Sequence, residues 1–180
     1  MRGMTELHVV HTADLDPGTL ADARALLDAA FDGEFSDDDW EHALGGLHML
    51  VREGAELIGH ASVVQRRLLH LGRALRAGYV EAVAVRAGHR HRGHGTALMA
   101  AVERAVRSGY ELGALSSADD AVGFYTSRGW RRWRGRTSAL TPAGMVRTED
   151  DDGGVFVLPV HHPLDLDGEL ACDWRDGDLW

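Results

Sequence analysis

The sequence predicts an α+β fold: a mixed central sheet flanked by helices, built as one domain over residues 1–180. Three observations lead there. Period-two alternation and amphipathic stretches of period near 3.6 succeed one another in the order β-α-α-β-β-β-α-β-α-β-β. The first half runs strand after strand, as an antiparallel meander does, whereas the second alternates strand with helix and so calls for a parallel crossover. With 44% hydrophobic residues and no repeat or linker-like tract, the chain suits one core better than two.

The elements follow in order. "ELHVVHT" (6–12) reads as the first strand. "DPGTLADARALLDAAFDG" is a helix with Asp16 as N-cap, Pro17 at the first helical position and Gly33 just past the end. "SDDDWEHALGG" is a shorter helix capped by Ser36, its acids in the first turn where the dipole favours them. "HMLVRE" and "ELIGHASVVQRRLLH" form a hairpin about Glu53–Gly54, and a short "LGRA" turn leads into the strand "LRAGYVEAVAVR". "TALMAAVERAVRSG" is a helix ending at Gly109. The strand "LGALSS", the helix "ADDAVGFYTSRG" and strands near 131–140 and at 154–160 complete the series.

Charge is sorted along the chain. The net charge is −9 and all 19 basic residues are Arg. Residues 1–65 carry 3 Arg against 13 acids, residues 66–136 carry 14 Arg against 5, and residues 137–180 carry 2 against 10. A basic middle between acidic ends suggests one surface for an anion and another for a cation, with clustered solvated charge as the plainer alternative. The single cysteine, Cys172, excludes an internal disulfide and sits in a polar tail beside Asp173, which argues against a nucleophile. No apolar run approaches a membrane span, so a cytoplasmic protein without membrane contact is expected.

The most informative stretch is "YVEAVAVRAGHRHRGHGTALMAAV" (79–102), where a strand meets a helix through R-x-x-G-x-G at Arg90–Gly95. A helix start leaves unpartnered N–H groups and carries about half a positive charge. Glycines let those amides approach a ligand without Cβ interference, and Arg86, Arg90 and Arg92 add charged donors, so the junction is a candidate phosphate cradle. A glycine turn before a capped helix is the simpler reading. Neither the P-loop pattern nor a third Rossmann glycine is present. His89, His91 and His94 lack a nearby carboxylate or Cys in sequence to complete a metal site, and no metal is expected.

The strand ending V-A-V, the R-x-x-G-x-G junction, the helix after it and the later "AVGFYTSRGW" together resemble the GCN5-related N-acetyltransferases. More closely, "VHTADLD", "DWEHALGGLH", "VVQRRL", "GYVEAVAVR", "YELGALSS", "YTSRGW", "EDDDGGVFVLP" and "CDWRDGDLW" are similar to the aminoglycoside 2′-N-acetyltransferases, from about residue 8 to the C-terminus. The resemblance implies a sheet with two splayed parallel strands, acetyl-CoA as cosubstrate and a homodimer.

It also implies roles. Val83, Ala84 and Val85 would hydrogen-bond the pantetheine through their backbone, and the amides of Arg90, His91, Arg92, Gly93, His94 and Gly95 would hold the diphosphate. Acetyl transfer needs an unprotonated amine, a stabilised oxyanion and a proton for the departing thiolate. A backbone N–H near Val83 would serve the oxyanion and Tyr125 the sulfur. Glu81, two residues before Val83 and by alternation on its face, would take a proton from the amine, through water; pairing with Arg76 is the structural alternative. Substrate contacts would come from Glu34, Asp39, Glu81, Ala82, Ser116, Asp150, Asp151, Asp178 and Trp180. Glu34 stands where the family pattern leads one to expect Asp, and Ala82 where it leads one to expect Gly. Asp37 and Asp38 read as helix-turn acids only.

The function so implied is acetylation of the 2′-amino group of aminoglycosides, by direct transfer, as in antibiotic resistance. An acetyltransferase for another cationic amine, such as a polyamine or an endogenous amino sugar, and a non-catalytic CoA-binding module are the alternatives. Nucleic acid is not an expected partner, because net negative charge opposes it.

Overall fold

A computed structural model describes residues 4–180. The chain divides into two compact units, residues 1–64 with 80–105 and residues 65–79 with 106–180. Strands β3 (Glu56–His70) and β4 (Arg73–Val85) are long enough to contribute residues to both.

The first unit holds β1 (Thr5–His11), helix α1 (Pro17–Ala30), helix α2 (Asp37–Ala43), β2 (Leu47–Glu53), the start of β3, the end of β4 and most of helix α3 (His94–Gly109). β1, β2 and β3 form the expected antiparallel meander, with His11 opposite Leu47 and Leu47 opposite Val63. Gly54, at φ +62°, turns the β2–β3 hairpin. α1 starts as its sequence dictates: the Asp16 side chain accepts from the Thr19 amide, and Pro17 supplies a preset φ where no N–H is needed. It ends at Ala30, three residues ahead of Gly33, because Asp32 already turns left-handed. α2 carries a full capping box between Ser36 and Asp39. Leu27, Phe35 and Ala84 form a buried cluster against which Ala30, Trp40 and Ala82 pack.

In the second unit β4 runs parallel to β5 (Leu112–Ser116), which pairs antiparallel with β9 (Val155–Pro159), itself paired with β6 (Arg131–Arg132). The end of β3 pairs with β10 (Leu170–Cys172), which runs parallel to β7 (Thr137–Thr141); β7 closes a hairpin with β8 (Gly144–Arg147). The mixed α+β class is therefore as the sequence predicts.

Three details differ. The helix expected over 118–129 is a 3₁₀ turn at Asp119–Ala121 followed by the short α4 (Val122–Thr126). The stretch 131–140 is two strands, and β8 and β10 add pairings for which no sequence pattern argued. β4 begins at Arg73, so the turn before it is only Leu71–Gly72, both at positive φ.

Candidate active site

In the first unit, β4 carries the acid and the strand backbone expected to act. Glu81, Ala82, Val83 and Val85 are half-buried and Ala84 is buried. The strand is not regular there: Ala82 has φ +51°, the left-handed region that L-residues disfavour. Alternation no longer applies across such a residue, so the shared face of Glu81 and Val83 does not follow from their spacing. The position at which Gly was expected is thus one whose backbone suits glycine. The β4–β5 register spans Ala77–Tyr79, leaving Val83–Val85 outside that ladder. Arg76 donates its Nε–H to the Gly109 carbonyl at 3.0 Å.

The Ala82 carbonyl contacts His60 Nδ1 at 2.7 Å, and Ser62 Oγ donates to the neighbouring Glu81 carbonyl at 3.4 Å. His60 in turn meets His48, both imidazoles being fully buried and held neutral by burial, with pKa values lowered to about 4. Sequence reasoning missed this pair. Its signal was a histidine inside each of the apolar runs "LHMLV" and "LIGHASVV".

Ala82 and Ala84 of β4 belong to the cluster with Phe35 and Trp40, the sequence neighbours of Glu34 and Asp39. Glu34 is exposed. One Asp39 oxygen accepts from the Ser36 amide at 2.8 Å, so this carboxylate also has a structural role. Asp37 pairs with Arg24 at 3.0 Å.

At the glycine junction, Arg90, His91, Arg92 and Gly93 are exposed and His94 and Gly95 half-buried. Arg90 donates to the Val85 carbonyl at 3.0 Å, which fixes the loop to the strand end. Arg86 is committed elsewhere, to Glu56 and the Leu57 carbonyl, and His89 pairs with Glu53 at 3.0 Å. Gly93, at φ +86°, is needed for the turn. Gly95 is different. Its φ is not positive, and a Cβ there would meet nothing within 4 Å. Neither conformation nor packing within this chain calls for glycine at 95, whereas an anion approaching the backbone would. With no acid in the first turn of α3, the junction fits the diphosphate of acetyl-CoA.

In the second unit, Ser116 ends β5 and is exposed. Tyr125 is almost fully buried against Trp130 and Phe156, and burial raises its phenol above the ordinary value. Asp150 and Asp151 stand on the 3₁₀ turn Glu149–Asp151, in a cleft of about 440 Å³ lined by Arg147, Thr148, Glu149, Asp150 and Asp151. Burial raises the Asp151 carboxyl, as do the charges of Asp178, Asp150 and Asp152, so the fold gathers acids that are far apart in sequence. Asp152 has a structural task. It accepts from the Thr137 amide and hydroxyl and pairs with Arg147 at 2.8 Å, which holds its carboxyl well below the usual range.

The C-terminal segment is anchored beside that turn. Trp180 is buried and donates its indole N–H to Thr148 Oγ1 at 3.0 Å. Arg66 clasps Asp173 at 2.8 Å, and Arg175 donates to the Asp178 carbonyl. Cys172 is fully buried, its thiol directed at the Leu179 carbonyl and its pKa raised by burial, which suits packing and not nucleophilic attack.

These features have counterparts among known proteins. A model of the GNAT acetyltransferase domain family matches residues 12–133. The chain is 57% identical over 176 residues, 96% of its length and 90% of the relative's, to an aminoglycoside 2′-N-acetyltransferase of Mycolicibacterium fortuitum. Its fold is similar to that of Escherichia coli ElaA, with TM-score 0.62, 19% identity and coverage of 86% of this chain and 99% of that one. It is also similar to a GNAT family acetyltransferase from Brucella melitensis in complex with acetyl-CoA, with TM-score 0.61, 17% identity and coverage of 95% and 97%. The chain belongs to the GNAT acetyltransferase family and, within it, groups with the aminoglycoside 2′-N-acetyltransferases.

Proposed function

We propose that this acetyltransferase uses acetyl-CoA to acetylate the 2′-amino group of aminoglycosides by direct transfer, without an acyl-enzyme, and so confers resistance. Acetyl-CoA supplies an activated acetyl group. The amides and exposed arginines at Arg90–Gly95 hold its diphosphate, and the backbone of Val83, Ala84 and Val85 pairs with its pantetheine. Glu81 receives the proton of the attacking amine through water. The N–H of Val83 steadies negative charge on the acetyl oxygen, and Tyr125 gives a proton to the departing thiolate. The raised Tyr125 pKa keeps that proton in place across the neutral range.

The observation that carries the substrate reading is the cleft lined by Glu149, Asp150 and Asp151, with the charge of Asp178 felt at Asp151. A protein that only bound CoA would gain nothing from a polycation site. Glu34, Asp39, Ser116, the Ala82 backbone and Trp180 complete the contacts to ammonium and hydroxyl groups. The same reading includes a single catalytic domain, a homodimer and a cytoplasmic setting.

The test measures thiol release from acetyl-CoA against aminoglycosides bearing an amine, a hydroxyl or hydrogen at 2′, with the product assigned by NMR. Turnover should occur only with the 2′-amine. Equal turnover of all three, or of polyamines alone, would replace this reading with an acetyltransferase for another cationic amine.

A further inference from the structure

A line of buried polar side chains crosses from β1 to the bend of β4. His60 Nδ1 lies 2.7 Å from the Ala82 carbonyl, His48 Nδ1 lies 2.9 Å from His60 Nε2, and Thr12 Oγ1 lies 2.7 Å from His48 Nε2. The Gly45 amide donates to Thr12 Oγ1 at 3.0 Å. Each link has one possible direction. A carbonyl only accepts, so the hydrogen is on His60 Nδ1. A neutral imidazole has a single N–H, so His60 Nε2 must accept, and His48 Nδ1 donates to it. His48 Nε2 then accepts the Thr12 hydroxyl hydrogen; the alternative Thr12 contact, to the Gly46 carbonyl, is longer at 3.3 Å.

The line begins at an amide donor and ends at an amide oxygen. Neither end exchanges protons near neutral pH, so it does not carry a proton to a reacting group. What it does is hold a shape. Ala82 is kept left-handed, a conformation that persists only where surroundings impose it, and its carbonyl is taken by His60. The Ala82 carbonyl and the Val83 N–H belong to one peptide unit, and no peptide bond among the described residues is cis. In a planar trans unit the two point in opposite directions. Drawing the carbonyl toward His60 therefore aims the Val83 N–H away from it.

We propose that His60, backed by His48 and Thr12, is a positioning residue that fixes the Ala82–Val83 peptide and so orients the Val83 N–H as oxyanion donor. The inference rests on the role given to Val83 in the proposed function. The members polarise one another along the line, so loss of the far end should also be felt at Ala82, more weakly.

The experiment compares His60→Leu, which removes the donor, with His60→Asn, whose amide nitrogen stands near the place of Nδ1. Removing an oxyanion donor outright lowers kcat by about 10²–10³-fold. A donor left in place but misaimed should lose about 10- to 100-fold in His60→Leu, with both KM values within about two-fold and His60→Asn recovering most of the loss. A merely structural histidine would lower the melting temperature without this split or this rescue.

A folded His60→Leu with wild-type kcat, or a His60→Asn as impaired as His60→Leu, overturns the proposal. Should His60→Leu fail to fold, Thr12→Val keeps the side-chain shape while removing the hydroxyl. It should lower kcat about two- to five-fold with KM unchanged, and wild-type kcat in that variant overturns the proposal. Failure of the functional reading is seen separately, as absence of thiol release by the wild type with any amine. Crystal structures then decide the positioning claim, which falls if the Ala82 carbonyl keeps its direction in the folded His60 or Thr12 variant.

Discussion

Ala82 shows how a single residue can run against its local preference. In a regular strand, Ala→Gly costs roughly 0.5–1 kcal/mol through chain entropy. At φ +51° the balance reverses, because a left-handed L-residue costs about 1–2 kcal/mol that glycine avoids. Ala82→Gly is expected to leave stability unchanged or raise it by up to about 1 kcal/mol, a gain of about 2–4 °C in Tm for a chain of this size. A thermal melt checks this, and a clear fall in Tm would show that His60 does not hold Ala82 against a strained backbone. Part of this was legible: the family resemblance marked 82 as a position where glycine was expected, yet alternation read straight through it. The left-handed turn depends on a partner 22 residues away, which no local pattern reports.

At the scale of elements, the facing strands β2 and β3 bury two histidines whose protonation the fold opposes. Their pKa values fall from 6.5 unfolded to about 4 folded. Between those values the unfolded chain binds more protons than the folded one, so stability rises with pH across that window and is lost as pH drops from 6.5 toward 4. Each histidine contributes a slope of up to about 1.4 kcal/mol per pH unit there. Urea unfolding at pH 7 and pH 5 should show the difference, and His48→Asn should reduce it.

The first turn of α3 gives a second prediction at this scale. Because a Cβ at 95 meets nothing, Gly95→Ala should keep or slightly raise Tm, while the affinity for acetyl-CoA falls about ten-fold as the methyl obstructs approach to the amides. Calorimetry with acetyl-CoA reads the affinity, and unchanged affinity would remove Gly95 from the cofactor site.

For the molecule as a whole, the net charge is −9 with a basic middle between acidic ends, and under the proposed function each substrate would meet charge of the opposite sign. Raising salt from about 0.05 to about 0.3 M shortens the screening length roughly two-fold and should raise both KM values. The two slopes separate by mutation. In an Asp150→Asn, Asp151→Asn double variant the salt dependence should flatten for the aminoglycoside and persist for acetyl-CoA, as steady-state kinetics at several salt concentrations would show. Equal flattening of both would argue against a dedicated cation cleft.

The α+β class, the N-caps of α1 and α2, the glycine junction before α3 and the family could all be read from the chain alone, because each is written in contiguous residues and short-range geometry. The rest depends on contacts between distant parts of the chain. β10 is three buried residues whose partners lie at 68–69 and 137–139, and Asp151 takes its raised carboxyl partly from Asp178. The bend at Ala82 likewise answers to His60, His48 and Thr12. Hydrogen bonding and electrostatics act over a few ångströms of space, and only the folded chain sets which distant residues come that close.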